Sequence, residues 1–519
     1  MKKHFRRLAD RSKRAVIILA TFTVFVCVYL LANAARLKSR QLSPPALDPI
    51  QIDQTLALSH LSDAIQLPTV SHRNRAKNNT SAYRDFQKLL ESTYPAVTEN
   101  LNKYTGKDFG DPDNASLLYQ WPGSTPKGSA VLLMAHYDVV PVEQTTLPDW
   151  EHPPFSGEIE EGYLWGRGAL DDKCAVIAIM EACERLIQEG FRPECDVYLA
   201  FGHDEEVGGK FGNRQIAQWM RNAGIRLEVV IDEGGGIYCD VPGLKQPAAL
   251  IGIAEKGYLN ITMTVQLETA GHASIPPRET AIGIMASAIT KLEKTDFPVR
   301  VDGGISRMLD YLGPEMSFFN RVAIGNQQWF QPFINRQFSS TPAGNAALRT
   351  TMVPTMLEAG FTENALPATA KANLHLRIQP GESVESSLKF VSSIIDDERV
   401  ELRLDQDLQG KTRQQPGYRQ PSRISSDTST AFTAMHRTIK QVFPEVAVAP
   451  FFVVASTDSA HYDDPALSKD VYRFTPWKLD QKGVASIHGI NEKVGTDEFV
   501  KMIQFYEQLI MNLTENKRQ

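Results

Sequence analysis

Five short stretches set imidazoles and carboxylates at spacings able to hold metal ions. They are MAHYDVVP with His136 and Asp138, GALDDK with Asp171 and Asp172, HDEEVGG with Asp204, Glu205 and Glu206, VIDEGG with Asp232, and HGIN with His488. A zinc-like cation takes imidazole nitrogen and carboxylate oxygen, and a pair of such ions needs roughly five protein ligands with one carboxylate shared. His136, Asp171, Glu206, Asp232 and His488 supply that set. Two neighbours have separate work available: Asp138, two residues after His136, could fix the imidazole from behind, and Glu205 could act as a base on water. Taken singly, each piece has a plainer explanation, since an Asp-Asp before a helix is commonly a cap and adjacent glutamates commonly face solvent. Taken together, all sit at the ends of apolar runs or in Gly-rich turns, where burial without a cation would leave carboxylates unpaired.

The elements that must position these groups are short, continuously apolar strands. SAVLLMAH ends at His136, Asp196 to Gly202 runs into the acidic cluster, and LEVVID ends at Asp232. Between the first two strands, Val176, Ile179, Met180, Cys183, Leu186 and Ile187 share one face of an amphipathic helix opened by Asp171-Asp172 and closed by Gly190. The alternation predicts an α/β fold, a mixed but largely parallel central sheet with helices on both faces. In such sheets ligands bind beyond the carboxyl ends of the strands, and three strand ends deliver His and acids to that edge.

The same patterning divides the chain. Residues 50–252 read as the first part of a catalytic domain. Over 253–408, the period-two runs GYLNITMTVQLETAGH and TAKANLHLRIQPG are each followed by a helix, which predicts an inserted α+β domain. Residues 409–519 return to the catalytic domain, with two amphipathic helices flanking HGINE. The stretch 302–354 is aromatic and irregular, and the pattern assigns it no element.

The ordered series His136-x-Asp138, Asp171-Asp172-Lys173, Asp204-Glu205-Glu206, Asp232-Glu233-Gly234 and His488-Gly489 resembles the co-catalytic dizinc exopeptidases, the family of carboxypeptidase S, glutamate carboxypeptidase, the aminoacylases and dipeptidases. AHYDVVPV, WEHPPFSGEIEEGYLWGRGALDDK and HGINE are similar to its branch of carboxypeptidase S and the N-fatty-acyl amino acid synthase/hydrolases. The resemblance spans nearly all of 50–515 except 302–354. It implies the zinc exopeptidase fold with an inserted lid that also serves dimerisation, and two Zn2+ per subunit with Co2+ or Mn2+ as substitutes. Asp171 would bridge, His136 and Asp232 would complete one site, and Glu206 and His488 the other, with Glu205 as general base. The implied reaction is hydrolysis of an amide bond next to a C-terminal amino acid, in short peptides or in N-acyl amino acids. The resemblance also makes His272 in GHAS a lid histidine that polarises the scissile carbonyl, places Asn364 in ENALP similarly, and gives Arg377 in RIQPG the substrate carboxylate. It sets the STDSAHY loop, with Asp458 and His461, in the pocket wall. The plainer alternatives are a turn residue for His272 and a surface ion pair for Arg377.

The 519 residues carry a net charge of −6, with 42% hydrophobic and 22% charged residues, which describes a globular chain with no electrostatic footprint for nucleic acid. The N-terminus differs. Seven basic residues within 1–14 precede the uncharged run Ala15–Ala35, long enough to cross a bilayer. This predicts a single-pass signal anchor with a cytoplasmic N-terminus, a stalk over 36–49, and the body on the exported side: periplasm, cell exterior or vacuolar lumen. The alternative is secretion after cleavage near Ala32-Asn33-Ala34. Cys27, Cys174, Cys183, Cys195 and Cys239 form no C-x-x-C motif, so free thiols and one or two disulfides both remain open. No G-x-S-x-G or H-E-x-x-H occurs, which disfavours a serine hydrolase and the single-zinc helix motif. The other functional class is a catalytically silent, membrane-tethered binding protein on a peptidase scaffold.

Overall fold

The computed structural model describes residues 2–515 apart from 46, 48–50, 126, 127, 129, 301, 302 and 414–416. The expected start of the body at Ile50, the start of the unassigned stretch at Asp302, and the side chains of the basic residues before Lys13 lie outside what it describes.

Among the described residues the central sheet has ten strands. Its middle is Val197–Gly202, Ala130–His136, Leu227–Asp232 and Ser468–Arg473, side by side and all parallel. Antiparallel neighbours extend it on the Leu117–Trp121 side, and the Ala248–Glu255 strand continues it on the other. Continuous apolar runs form these strands because both faces are covered. Val131, Leu133 and Ala135 enter the larger core, while the alternate Leu132 and Met134 enter a second core on the opposite face. Each fully buried aliphatic side chain contributes about 1.5–3 kcal/mol, so register is fixed firmly and with it the residue that emerges at each strand end.

The helix Lys173–Gln188 forms where expected but is not one-faced. It is buried on nearly every side, because Gln54–Ile65, Pro95–Asn100 and Thr496–Thr514 pack over its outer surface. Its acidic residues are matched there: Glu181 accepts from Tyr94 Oη at 2.9 Å and meets His60 Nδ1 at 2.6 Å, and Glu184 accepts from the Val97 amide at 2.9 Å.

A second sheet, ordered Thr351–Ala359, Thr369–Ile378, Gly257–Gln266 and Val400–Arg403, is antiparallel throughout. Leu259, Ile261, Met263 and Val265 alternate inward against Ile284, Met285 and Leu292 of the helix Ala281–Glu293 and Val391 and Ile395 of the helix Val384–Ile395.

Over its described part, the stretch that the pattern could not assign forms four α-helices, Gly304–Leu312, Phe318–Gly325, Gln327–Ser339 and Pro342–Leu348, with a short 3-10 helix Gly313–Glu315 after the first and the start of strand Thr351–Ala359 after the last. They share a small core of Ile305, Leu309, Ile324, Ile334 and Leu348, against which Leu37 packs. The expected stalk does not stand free over its described part. Gln41 exchanges hydrogen bonds with the Val448 backbone (2.7 and 3.0 Å), the Leu42 amide donates to His436 Nε2 at 3.3 Å, and the Arg40 guanidinium lies 5.0 Å from the Tyr311 ring centre. A polar segment thus runs along the body because the Gln41 side chain pairs with backbone groups of the body and a histidine of the body accepts from the Leu42 amide. All five cysteines are free.

Candidate metal centre

The three consecutive carboxylates after strand Val197–Gly202 have three different surroundings. Asp204 accepts from the Phe211 and Gly212 amides, both at 2.8 Å, and so closes its own loop. Glu205 and Glu206 point elsewhere. Their amides donate to Asp138 Oδ1 and Oδ2 at 3.1 and 3.3 Å, while Ser71 Oγ donates to Asp138 Oδ2 at 2.6 Å. The loop can turn this tightly because Gly209 has φ +61°, and a Cβ there would lie 1.9 Å from Asp458 Oδ1.

Asp138 also orients the imidazole two residues before it. His136 Nδ1 meets the Asp138 carbonyl at 3.0 Å and its carboxylate at 3.4 Å, which leaves Nε2 to face the strand edge. One fully buried carboxylate therefore fixes both the histidine and the backbone of the two glutamates.

Asp171 stands between two imidazoles. Its Oδ1 lies 3.0 Å from His136 Nε2 and its Oδ2 lies 2.9 Å from His488 Nε2, which is also 3.1 Å from Glu206 Oε2. The loops carrying Asp171 and His488 are fastened together by a buried pair, Arg167 and Glu492, 2.6 Å apart. Glu492 Oε1 accepts from the Gly168, Leu170 and Asp171 amides, while Arg167 donates to the His488 and Gly489 carbonyls. This brace eluded the sequence reading because its halves are 325 positions apart.

His136, Asp171 and Glu206 present ligand atoms within 4.8 Å of one another, as do His136, Glu205 and Glu233. Glu233 Oε1 is 3.3 Å from His136 Nε2. Asp232, beside it in sequence, accepts instead from the Ser459 amide at 2.8 Å. Sequence alone gave Glu233 no role; the doubled acid at the strand end was the available signal.

The electrostatics follow from packing so many acids under cover. Burial and Asp171 raise Glu233 to a pKa of about 8, and the same two causes raise Glu206 to about 6. Burial holds Glu205 well above the usual carboxylate value. Hydrogen bonds to Asp171 and Glu206 lift His488 to about 10. Burial opposes a charge on His136, yet Glu233, Asp138 and Asp171 together keep its pKa well above that of a free imidazole. Such a cluster takes up protons in default of another cation. Glu206 Oε1 is buried with no hydrogen-bond partner, and the nitrogen and oxygen donors converge on a single acidic carboxylate. The donor set fits divalent metal of the zinc type.

The residues expected to meet substrate are placed apart from this cluster. His272 is exposed in the two-residue strand Gly271–His272, which pairs with Ala365–Leu366. Asn364 joins it through its carbonyl, which accepts from the Ala273 amide at 3.1 Å. Among the described residues, no hydrogen bond or ion pair connects this tip to the metal-type cluster. Arg377 is half-buried rather than on the surface, with Nη1 3.4 Å from Ser456 Oγ. It thereby abuts the loop 456–462, which also caps Asp232 through Ser459 and carries Asp458 and His461.

A family model described as "Peptidase family M20/M25/M40" matches residues 132–512. The chain belongs to this family. It is 35% identical over 508 residues to a probable carboxypeptidase S-like 2 of Dictyostelium discoideum, covering 96% of this chain and 93% of that one. It is 36% identical over 455 residues to the N-fatty-acyl-amino acid synthase/hydrolase PM20D1 of Xenopus tropicalis, covering 87% and 85%. An M20 family metallo-carboxypeptidase from Sulfolobus solfataricus shares the fold, with a TM-score of 0.60 at 18% identity over 89% of this chain and 99% of the other. The M20 chain is a metallopeptidase-type hydrolase. The silent-scaffold alternative is not favoured, since the imidazoles, acids and candidate base are all present.

Proposed function

We propose that the chain hydrolyses the amide bond next to a C-terminal amino acid, in short peptides or in N-acyl amino acids, using two zinc ions held at the strand ends. The observation that carries this reading is Asp171, whose two oxygens address two different imidazoles while Glu206 keeps a buried oxygen without a partner. The ligands are His136, Asp171, Glu206 and His488, with a fifth donor from the Asp232–Glu233 pair; Asp232 is the one the family resemblance assigns, and the contact with His136 favours Glu233. The metals supply Lewis acidity toward water and the substrate carbonyl.

Glu205 takes the proton from the attacking water and returns it to the leaving amine, as a buried carboxylate with a raised pKa can. Asp138 keeps His136 and the Glu205 backbone in place during that exchange. Arg377 holds the free carboxylate of the substrate, for which it has a fixed fork and no ion-pair partner among the described residues. His272 and Asn364 reach the scissile carbonyl when their tip closes over the strand edge, their own or that of a second copy. The exposed edge strand Thr351–Ala359, with Val353, Met356 and Leu357 each at least 50% exposed, suits a homodimer through the lid. Names of the two relatives, a carboxypeptidase and an N-fatty-acyl amino acid hydrolase, support the two substrate classes.

The helix Lys2–Arg36 contains the candidate span Lys13–Arg36, whose most apolar 18-residue window has a mean hydropathy of 2.7 and no buried residue. We take it as the single-pass anchor, with the catalytic body on the exported side.

The test is Glu205→Gln. Metal content should match the parent and turnover should fall by about 10^2–10^4-fold; near-parental turnover would refute the assignment of the base.

A further inference from the structure

We propose that the helices Phe318–Gly325 and Gln327–Ser339 form a second membrane contact, embedded in the outer leaflet of the bilayer beside the anchor. The proposal rests on the reading of Lys13–Arg36 as a spanning helix.

The exposed aromatics come first. Phe318, Phe319, Trp329 and Phe333 are 60–82% exposed, all within sixteen positions of two consecutive helices. Four large rings left in water over so short a stretch mark an interaction surface.

The neighbouring contacts identify what covers it. These helices grip the last two turns of the anchor: Asn33 Nδ2 donates to Asn326 Oδ1 at 2.8 Å, Asn326 Nδ2 donates to the Leu30 carbonyl at 3.0 Å, and Gln328 Nε2 donates to Tyr29 Oη at 3.3 Å. Tyr29 and Trp329 have ring centres 6.5 Å apart. The approach is close enough that a Cβ on Gly325 would lie 3.0 Å from the Ala34 backbone.

Depth then follows from helix geometry. Tyr29 lies seven residues before Arg36, where the anchor ends, or about 10 Å along the axis at ~1.5 Å per residue. The uncharged run Ala15–Ala35 is about 31 Å long, the thickness of the hydrocarbon layer. A ring level with Tyr29 therefore sits below the headgroups. Amphipathic helices that lie in the interface bury their apolar face about 5–10 Å deep, with Trp at the boundary. The basic residues Arg36, Lys38 and Arg40 follow at headgroup level, and the pinned segment through Gln41 leaves the body no slack to lift away.

The experiment uses the full chain in nanodiscs whose lipids carry bromine in mid-acyl chain, a short-range quencher of tryptophan. Trp121, Trp150, Trp165, Trp219 and Trp477 are buried or half-buried in the body, so Trp329 is the one exposed indole. The brominated discs should quench the parent, and Trp329→Phe should remove at least half of the quenched emission. Phe319→Trp in that background should restore it. A chain that stays with the disc but is quenched equally with and without Trp329 overturns the embedded surface and leaves the anchor standing. A chain that does not co-elute with the disc overturns the anchor and the surface together.

Discussion

The strand-end cluster and the tip bearing His272 are built on opposite terms. In the cluster, the loops that carry the candidate ligands are braced: Asp138 holds His136 and two backbone amides, and Glu492 holds the Asp171 loop through three. At the tip, His272 is exposed, and its hydrogen bond is to its own turn, where the Ser274 amide donates to Nδ1 at 3.1 Å. Most of the proposed ligands are buried and braced, His488 being the half-exposed one, whereas the residues proposed to meet the substrate carbonyl ride on an exposed two-strand ladder. The difference separates preorganisation from closure within a single site.

The comparison breaks most sharply at its braces. Glu492→Gln strands the Arg167 guanidinium without its buried counter-charge, and should cost about 3–5 kcal/mol of stability by denaturant titration, with metal affinity falling alongside. His272→Ala should do the reverse, leaving melting temperature and metal content at parental values while turnover drops by about 10^2–10^3-fold. If the Glu492 change cost nothing, or the His272 change unfolded the protein, the division between the two regions would fail.

A smaller effect sharpens the electrostatic half. Glu206 and Glu233 have native pKa values of about 6 and about 8, above their usual 4.5, and His136 and His488 are raised too. The native chelated protein therefore binds protons that the unfolded chain has released, so stability falls as pH rises through this window. Asp171 is held low, but it titrates well below the window. Thermal melts of EDTA-treated protein should lose stability steadily from pH 5 to pH 8, and zinc should abolish most of that slope.

Much of the cluster was legible in the sequence, and the reason is register. Buried strands are continuous apolar runs, so the point where Ala130–His136 or Leu227–Asp232 stops is also the point where a polar side chain emerges at the sheet edge. What periodicity could not say is which of two adjacent acids turns toward His136, since Asp232 and Glu233 differ by one position at the moment the strand ends. The Arg167–Glu492 brace was out of reach for another reason: pairing across 325 positions leaves no local pattern. The stretch 302–354 was missed because Tyr311 lies in the main core and Phe330 and Phe338 pack against a core while Phe318, Phe319, Trp329 and Phe333 are exposed, so apolar residues fall on both sides of its helices and blur the period. The stalk misled because polar composition says that water is acceptable to a segment, not that the body will decline to bind it.

The central claim is that His136, Asp171, Glu206 and His488 share a pair of metal ions. Anomalous scattering at the zinc absorption edge from zinc-loaded crystals tests it directly. Two peaks are predicted, one about 2.0–2.2 Å from His136 Nε2 and one at that distance from Glu206 and His488, with Asp171 touching both. No peak at these residues, or zinc only at the separate Asp111, Asp113 and His203 group, would contradict the account.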